Sequence, residues 1–201
     1  MGARTVMAYQ TIVSRNIPAQ EPAVLTVGAM QVGETHNVIP ETGTLKVNLR
    51  WYEKSTRQTL LDAIKRETQG IADAAGVPEE RAPTYTMLGY AEPVVNAPSL
   101  AEQANATLSA SLGKKRLMPG IPPVMGSEDF PMLVAGIEGA ETLFVEVGGG
   151  AADVMKSYMQ TGELPPLNHN PKFRIENPAL AITTAVEANS CLLYTSDAAD
   201  D

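Results

Sequence analysis

Thr44-Leu45-Lys46-Val47-Asn48-Leu49-Arg50-Trp51 alternates apolar and polar residues, so Leu45, Val47, Leu49 and Trp51 share one face and Lys46, Asn48 and Arg50 the other. Such a strand belongs to a sheet with one covered and one polar face. Just upstream, Ala23-Val24-Leu25-Thr26-Val27-Gly28-Ala29-Met30-Gln31-Val32 is rich in β-formers and bounded by Gly33, a second strand. Further back, Val6, Tyr9, Gln10, Ile12 and Val13 recur at helical spacing until Asn16-Ile17-Pro18 breaks the run. No capping signal precedes that helix, so the chain is expected to begin inside an element.

Working outward on the other side, Ser55-Thr56-Arg57-Gln58 has capping-box spacing. Leu60, Leu61, Ile64, Ile71 and Ala75 then repeat at helical intervals until Gly76 and Pro78. Thr84-Tyr85-Thr86-Met87-Leu88-Gly89-Tyr90 reads as a further strand. Residues 1–93 therefore read α-β-β-α-β, and one more strand in front would complete the split β-α-β of a ferredoxin-like sandwich.

The remainder has a different texture. A helix is expected from Ser99, with Glu102 closing a capping box, then a Gly/Pro-rich loop from Met118 to Gly126 and a strand from Thr142 to Val147 ended by Gly148-Gly149-Gly150. A last helix is expected from Asn177-Pro178 through Ala179, Leu180, Ile182 and Val186. Strand then helix across a glycine-rich turn suggests the end of an α/β domain. No internal repeat or low-complexity stretch occurs.

At 201 residues and 44% hydrophobic content the chain can bury one sizeable core or two small ones, and no apolar run is long enough to cross a bilayer. A formal charge of -8, sparse aromatics and no basic stripe beyond Lys114-Lys115-Arg116 argue against a nucleic-acid partner. The final run Cys191 to Asp201 resembles the in-frame translation of a transposase-type sequencing adapter and is set aside from the fold. It holds the only cysteine, so disulfides and cysteine catalysis are excluded from the rest. No signal peptide is visible, and a cytoplasmic location is the default expectation.

The chain has two histidines. His36 falls in the Gly-bounded turn between the two strands, where a loop can present it to a ligand or where it is simply a turn residue with Asn37 holding the backbone. His169 lies between Asn168 and Asn170, and its flanking amides suit either metal ligation or an ordinary polar loop. One histidine is not a metal site, because zinc normally takes at least three protein ligands. Glu128 and Asp129 follow the Gly126-Ser127 turn as catalytic carboxylates or as helix-start acids. Arg50, on the polar sheet face, can clamp a carboxylate in bidentate fashion or stay solvated.

Taken in order, Val27-Gly28, His36-Asn37-Val38-Ile39-Pro40-Glu41-Thr42, Leu49-Arg50, Gly126-Ser127-Glu128-Asp129-Phe130 and His169-Asn170-Pro171-Lys172-Phe173 resemble the zinc-dependent amidohydrolases of the aminoacylase and carboxypeptidase type. The hippurate hydrolase and indole-acetyl-amino-acid hydrolase branch is the nearest in pattern. The resemblance covers residues 1–190. It implies an α/β protein in which 1–93 is a ferredoxin-like lid domain, lacking its first strand, that also forms a homodimer. Residues 94–190 would be the C-terminal part of an α/β zinc-exopeptidase catalytic domain. The complete enzyme would carry two divalent metal ions, zinc or else manganese, cobalt or nickel, and hydrolyse N-acyl amino acids. By the same matching, His169 would ligate a metal, and His36 would reach the partner subunit's active site to stabilise the oxyanion formed as water attacks the amide. Asn37 and Arg50 would lie near the substrate's carboxylate end, and Gly126 and Ser127 would border it. The family's remaining metal ligands and its general-base glutamate have no counterpart here, so the chain by itself is expected to be inactive. An exposed sheet edge and bared core are expected to make it poorly soluble. Two alternatives stand beside this reading: a dipeptidase or carboxypeptidase of the same family, and a non-catalytic ferredoxin-like dimerisation or ligand-binding module.

Overall fold

The computed structural model describes residues 1–118, 120–150, 152–166, 168–175, 179 and 181–187. Its α-helices and strands are α1 (Gly2–Asn16), β1 (Ala23–Val32), β2 (Gly43–Trp51), α2 (Lys54–Ala74), α3 (Pro98–Leu112) and α4 (Ala152–Thr161), with residues 181–187 also helical. They fall into two compact units. The first comprises Met1–Pro93 with Val124–Asp129, and the second Val94–Pro123 with the described residues from Phe130 onward.

In the first unit β1 and β2 form a two-stranded antiparallel sheet whose ladder runs from Ala23↔Trp51 to Val32↔Gly43. The alternation of β2 is realised: Leu45, Val47 and Leu49 turn to the helices with Leu25 and Val27, packing against buried Tyr9, Ile12, Leu60, Ala63 and Ile64. Lys46, Asn48 and Arg50 occupy the opposite face. The register steps by one residue between Val27 and Ala29, which leaves Gly28 as a bulge. The bulge changes which residues of β1 face inward. Beyond it Met30 and Val32 approach α1, with the Met30 sulfur 3.3 Å from where a Cβ on Gly2 would sit.

Both helices present an apolar stripe. On α1 Thr5, Tyr9 and Ile12 are buried, and on α2 Thr56, Leu60, Ala63, Ile64 and Ala72. Tyr9 also donates to or accepts from the Thr68 hydroxyl across the helix pair. The capping box expected at Ser55–Gln58 does not form. Helix α2 starts two residues earlier, Glu53 takes the cap position without a side-chain bond, and the Gln58 amide instead donates to Asp62 Oδ1 at 2.8 Å. The other end behaves as read: Gly76 adopts φ +66, its N–H donates to Asp73 O at 3.0 Å and the Val77 N–H to Ala72 O at 3.0 Å, a Schellman turn.

The strand expected at Thr84–Tyr90 is absent. Among the described residues no chain runs beside it to pair, and a strand exists only through its neighbour. The segment is extended and runs back along α2 on side-chain contacts. The Tyr85 hydroxyl reaches Lys65 O, the Arg57 guanidinium stands over both the Trp51 and Tyr90 rings at 5.5 and 5.0 Å, and Lys54 pairs with Glu92 at 3.6 Å.

In the second unit Ala104, Leu108 and Val186 are buried together, with Leu112, Leu117, Leu143, Val147 and Ile182 packed around them. Helix α3 begins at Pro98, where the missing N–H costs nothing, so Ser99 lies inside the helix and the expected Ser99–Glu102 box is not made. Residues 142–147 form no strand either. The Asn96 side chain takes the place of a neighbouring peptide, accepting from Phe144 N at 2.7 Å and donating to Phe144 O at 3.0 Å, while Ala97 N donates to Thr142 O at 2.9 Å. Helix α4 departs from the sequence expectation, in which the glycine run before it marks only the end of a strand. The cap expected at Asn177-Pro178 and the tail 191–201 lie outside the described residues.

Candidate functional site

Arg50 is the best-seated of the residues singled out in the sequence. Its position on β2 puts it on the polar sheet face two residues from Asn48, whose Oδ1 accepts from Arg50 Nε at 3.4 Å. Arg50 Nη1 donates to the Met125 carbonyl, a residue 75 positions away. Segment Val124–Asp129 thereby joins the first unit, and Gly126 and Ser127 follow directly on the residue that Arg50 holds. A guanidinium has five N–H donors, and two are engaged here. The remaining donors suit a planar anion, and a carboxylate is the ordinary partner of that fork. Next to it Trp51 carries Arg57 on its ring and buries its Nε1 without a hydrogen-bond partner.

His36 and Asn37 form the turn of the connection between β1 and β2, and both are exposed. No hydrogen bond or ion pair engages the His36 imidazole among the described residues. Gly43, where the His36 loop rejoins β2, lies seven steps from Arg50, so at about 3.4 Å per residue the neck of that loop and Arg50 stand roughly 24 Å apart in one copy. The structure therefore places His36 with Asn37, and Arg50 with Gly126 and Ser127, at opposite ends of one hairpin.

His169 lies in the second unit at φ +70, the one non-glycine residue with positive φ among those described. The turn is closed by Phe173 N donating to Asn170 O and by Lys172 N donating to Asn170 Oδ1, each at 2.9 Å. A left-handed backbone at a histidine is strained, and strain of this kind gathers at functional positions. Among the described residues, however, no three His, Cys, Asp or Glu side chains are placed to hold a metal ion. Glu128 and Asp129 are exposed, and no hydrogen bond or ion pair engages their side chains among the described residues.

Two partners of the site were missed in the sequence. Asn48 had a signal, since it shares the polar face with Arg50. The Met125 carbonyl had none, because nothing local links residues 50 and 125.

No protein-family model matches the chain. It is 34% identical over 134 residues to an N-acetyldiaminopimelate deacetylase of Streptococcus suis, covering 67% of the chain and 34% of that protein. To the hippurate hydrolase of Campylobacter jejuni it is 30% identical over 125 residues, 62% of the chain and 32% of the relative. To the N-acetylcysteine deacetylase of Bacillus subtilis it is 26% identical, covering 89% of the chain and 41% of the relative. Among solved structures, a protein described as an aminohydrolase from methicillin-resistant Staphylococcus aureus superposes with a TM-score of 0.68 at 27% identity, over 96% of the chain and 45% of that structure. The chain thus spans between about a third and under a half of the relatives it matches. By fold it is a mixed α/β chain that superposes on part of the Staphylococcus aureus structure. Its sequence resembles those of amidohydrolases.

Proposed function

We propose that this chain is the lid and C-terminal catalytic portion of a metal-dependent amidohydrolase that cleaves the amide bond of N-acyl amino acids. The observation that carries the reading is the Arg50 seat: a guanidinium fixed by Asn48 and the Met125 carbonyl, with donors left over for a free carboxylate beside Gly126 and Ser127. An N-acyl amino acid offers that carboxylate next to its amide. The names of the relatives, a hippurate hydrolase and two N-acetyl deacetylases, point to the same substrate class.

His36 would donate an N–H to the oxyanion that develops on the amide carbonyl as water adds, a role for a donor held where charge appears. A substrate of about two residue lengths spans roughly 7 Å. It cannot touch His36 and Arg50 of one copy across the length of the hairpin, so the reading requires a homodimer in which His36 serves the partner's site. Residues 1–93 would be the ferredoxin-like lid that makes this dimer. Two divalent metal ions complete the proposal for the whole enzyme. His169 is the single ligand assigned to this chain, short of what a closed zinc site takes. The whole enzyme would act in the cytoplasm and bind neither nucleic acid nor membrane. No described helix is long and apolar enough to cross a membrane.

The test is a hydrolysis panel on the complete enzyme carrying this sequence, with N-acyl amino acids, their carboxyl-blocked esters and dipeptides. The reading expects N-acyl amino acids to be cleaved, the esters to lose most of kcat/KM, and the 201-residue chain alone to be inactive. Equal rates on acids and esters would remove Arg50's role. Preference for dipeptides would favour the peptidase alternative.

A further inference from the structure

The connection that carries His36 runs from residue 33 to 42, longer than the two to five residues usual for a hairpin. Every residue in it is exposed. Such a loop fixes a side chain only if something closes its neck, and three contacts do so here. The last ladder pair brings Val32 against Gly43, where a Cβ would lie 2.9 Å from Val32 Cγ2. Gly33, at φ +72, lets Pro40 approach so closely that a Cβ would stand 2.6 Å from Pro40 Cγ. Outside them, Glu41 Oε1 accepts from Arg81 Nη2 at 2.6 Å, the shortest ion pair among the described residues. These contacts leave a six-residue head, 34–39, with His36 and Asn37 at its turn.

Arg81 is well placed to anchor that neck. Helix α2 is fixed to the core near its end by Ala72, 1% exposed, and stops at the Schellman turn around Gly76. Pro78 then starts the short 3-10 turn Glu79–Arg81, in which Arg81 N donates to Pro78 O at 2.9 Å. The guanidinium thus hangs from a hydrogen-bonded turn that follows directly on the end of α2. The pair itself is exposed on both sides, 59% and 71%, and such pairs add little to global stability. Its consequence is local.

We propose that Arg81, acting through Glu41, is a positioning residue for His36. The proposal rests on the reading of His36 as the oxyanion donor, and its structural half can be measured without catalysis. In the 201-residue chain, backbone 15N relaxation reports residues 34–39. With only two histidines present, His36→Gln assigns the His36 ring signals at once. Cutting the pair by Glu41→Gln or by Arg81→Gln should lower the order parameters of 34–39 from about 0.8 toward values below about 0.6, and narrow the His36 ring resonances. The exchanged pair E41R/R81E should restore both, while core amides stay unchanged in all three. Loop order that is unaffected by either single change, or that the exchange fails to restore, overturns the proposal.

In the complete enzyme the same single changes should lower kcat about two- to five-fold with KM unchanged, the scale set by an exposed pair's contribution, and the exchange should recover it. A loop that loosens while kcat holds also overturns the positioning role. An inactive-site reading fails differently: His36→Gln would then leave kcat intact although the neck behaves as described.

Discussion

Leu60 has no exposure to solvent and sits among Tyr9, Ile12, Ala63 and Ile64 between both helices and the sheet. Replacing it with alanine removes three carbons, worth about 2.4 kcal/mol of transfer free energy at roughly 0.8 kcal/mol each. A cavity term adds to this, for a total of about 3 kcal/mol. The flanking Leu25, Val27, Leu45, Val47 and Leu49 are only partly buried and can settle inward, which keeps the cost at the lower end of the range for such changes. For a unit of this size each kcal/mol moves the melting point by about 4–8 °C, so the midpoint should fall by on the order of 12 °C or more. Urea unfolding followed by circular dichroism checks the energy directly, with the slope unchanged if only stability moves. Leu88→Ala is the control: at 88% exposure it should shift stability by no more than about 0.5 kcal/mol. A Leu60 variant costing less than about 1 kcal/mol would refute the described core, and a Leu88 variant costing as much as Leu60 would refute the exposed course of residues 84–90.

Burial raises the Tyr9 hydroxyl above its ordinary pKa of 10.0, against the opposing pull of the Thr68 hydrogen bond and with a smaller push from Tyr85. Because the folded state then keeps a proton that the unfolded state releases, stability should fall as pH rises above about 10 toward the folded value. Tyr9→Phe should flatten that alkaline decline in pH-resolved melting curves. Gly76→Ala, at φ +66 with open space around the added Cβ, should cost about 1–2 kcal/mol from backbone strain alone, readable in the same unfolding experiment. Gly33→Ala meets the Pro40 ring as well as a φ of +72, so it should disturb the His36 loop beyond that strain, visible as shifted amide signals over residues 34–39.

The elements that could be read from the sequence are those whose information is local. The two-residue period of Leu45, Val47 and Leu49 and the helical spacing of Tyr9 with Ile12 and of Leu60 with Ile64 specify which face is covered, and packing obeys them. Gly76 terminates α2 because only a residue easy in the left-handed region closes that turn. Local composition failed where a competing interaction existed. Pro98 displaced Ser99 from its cap, Gln58 found Asp62, and Asn96 took the hydrogen bonds that a strand at 142–147 would give its neighbour. The bulge at Gly28 is invisible to alternation counting, although a glycine within a strand is where such a step is most easily made. For the site, the histidines and Arg50 stood out as residue types. Their separation into two ends of a hairpin, and the long-range ties from Arg50 to Met125 and from Arg81 to Glu41, depend on the fold.

The central claim is that one active site of the complete enzyme draws His36 from one copy and Arg50 from the other. Mixing two inactive variants, His36→Gln and Arg50→Ala, after dissociation and reassociation tests it directly. If the residues serve from different copies, each mixed dimer regains one intact site, and hydrolysis of an N-acyl amino acid returns to about a quarter of wild type, since random reassociation makes about half the dimers mixed. If both residues serve the site of their own copy, every site in the mixture keeps one defect, and no activity returns.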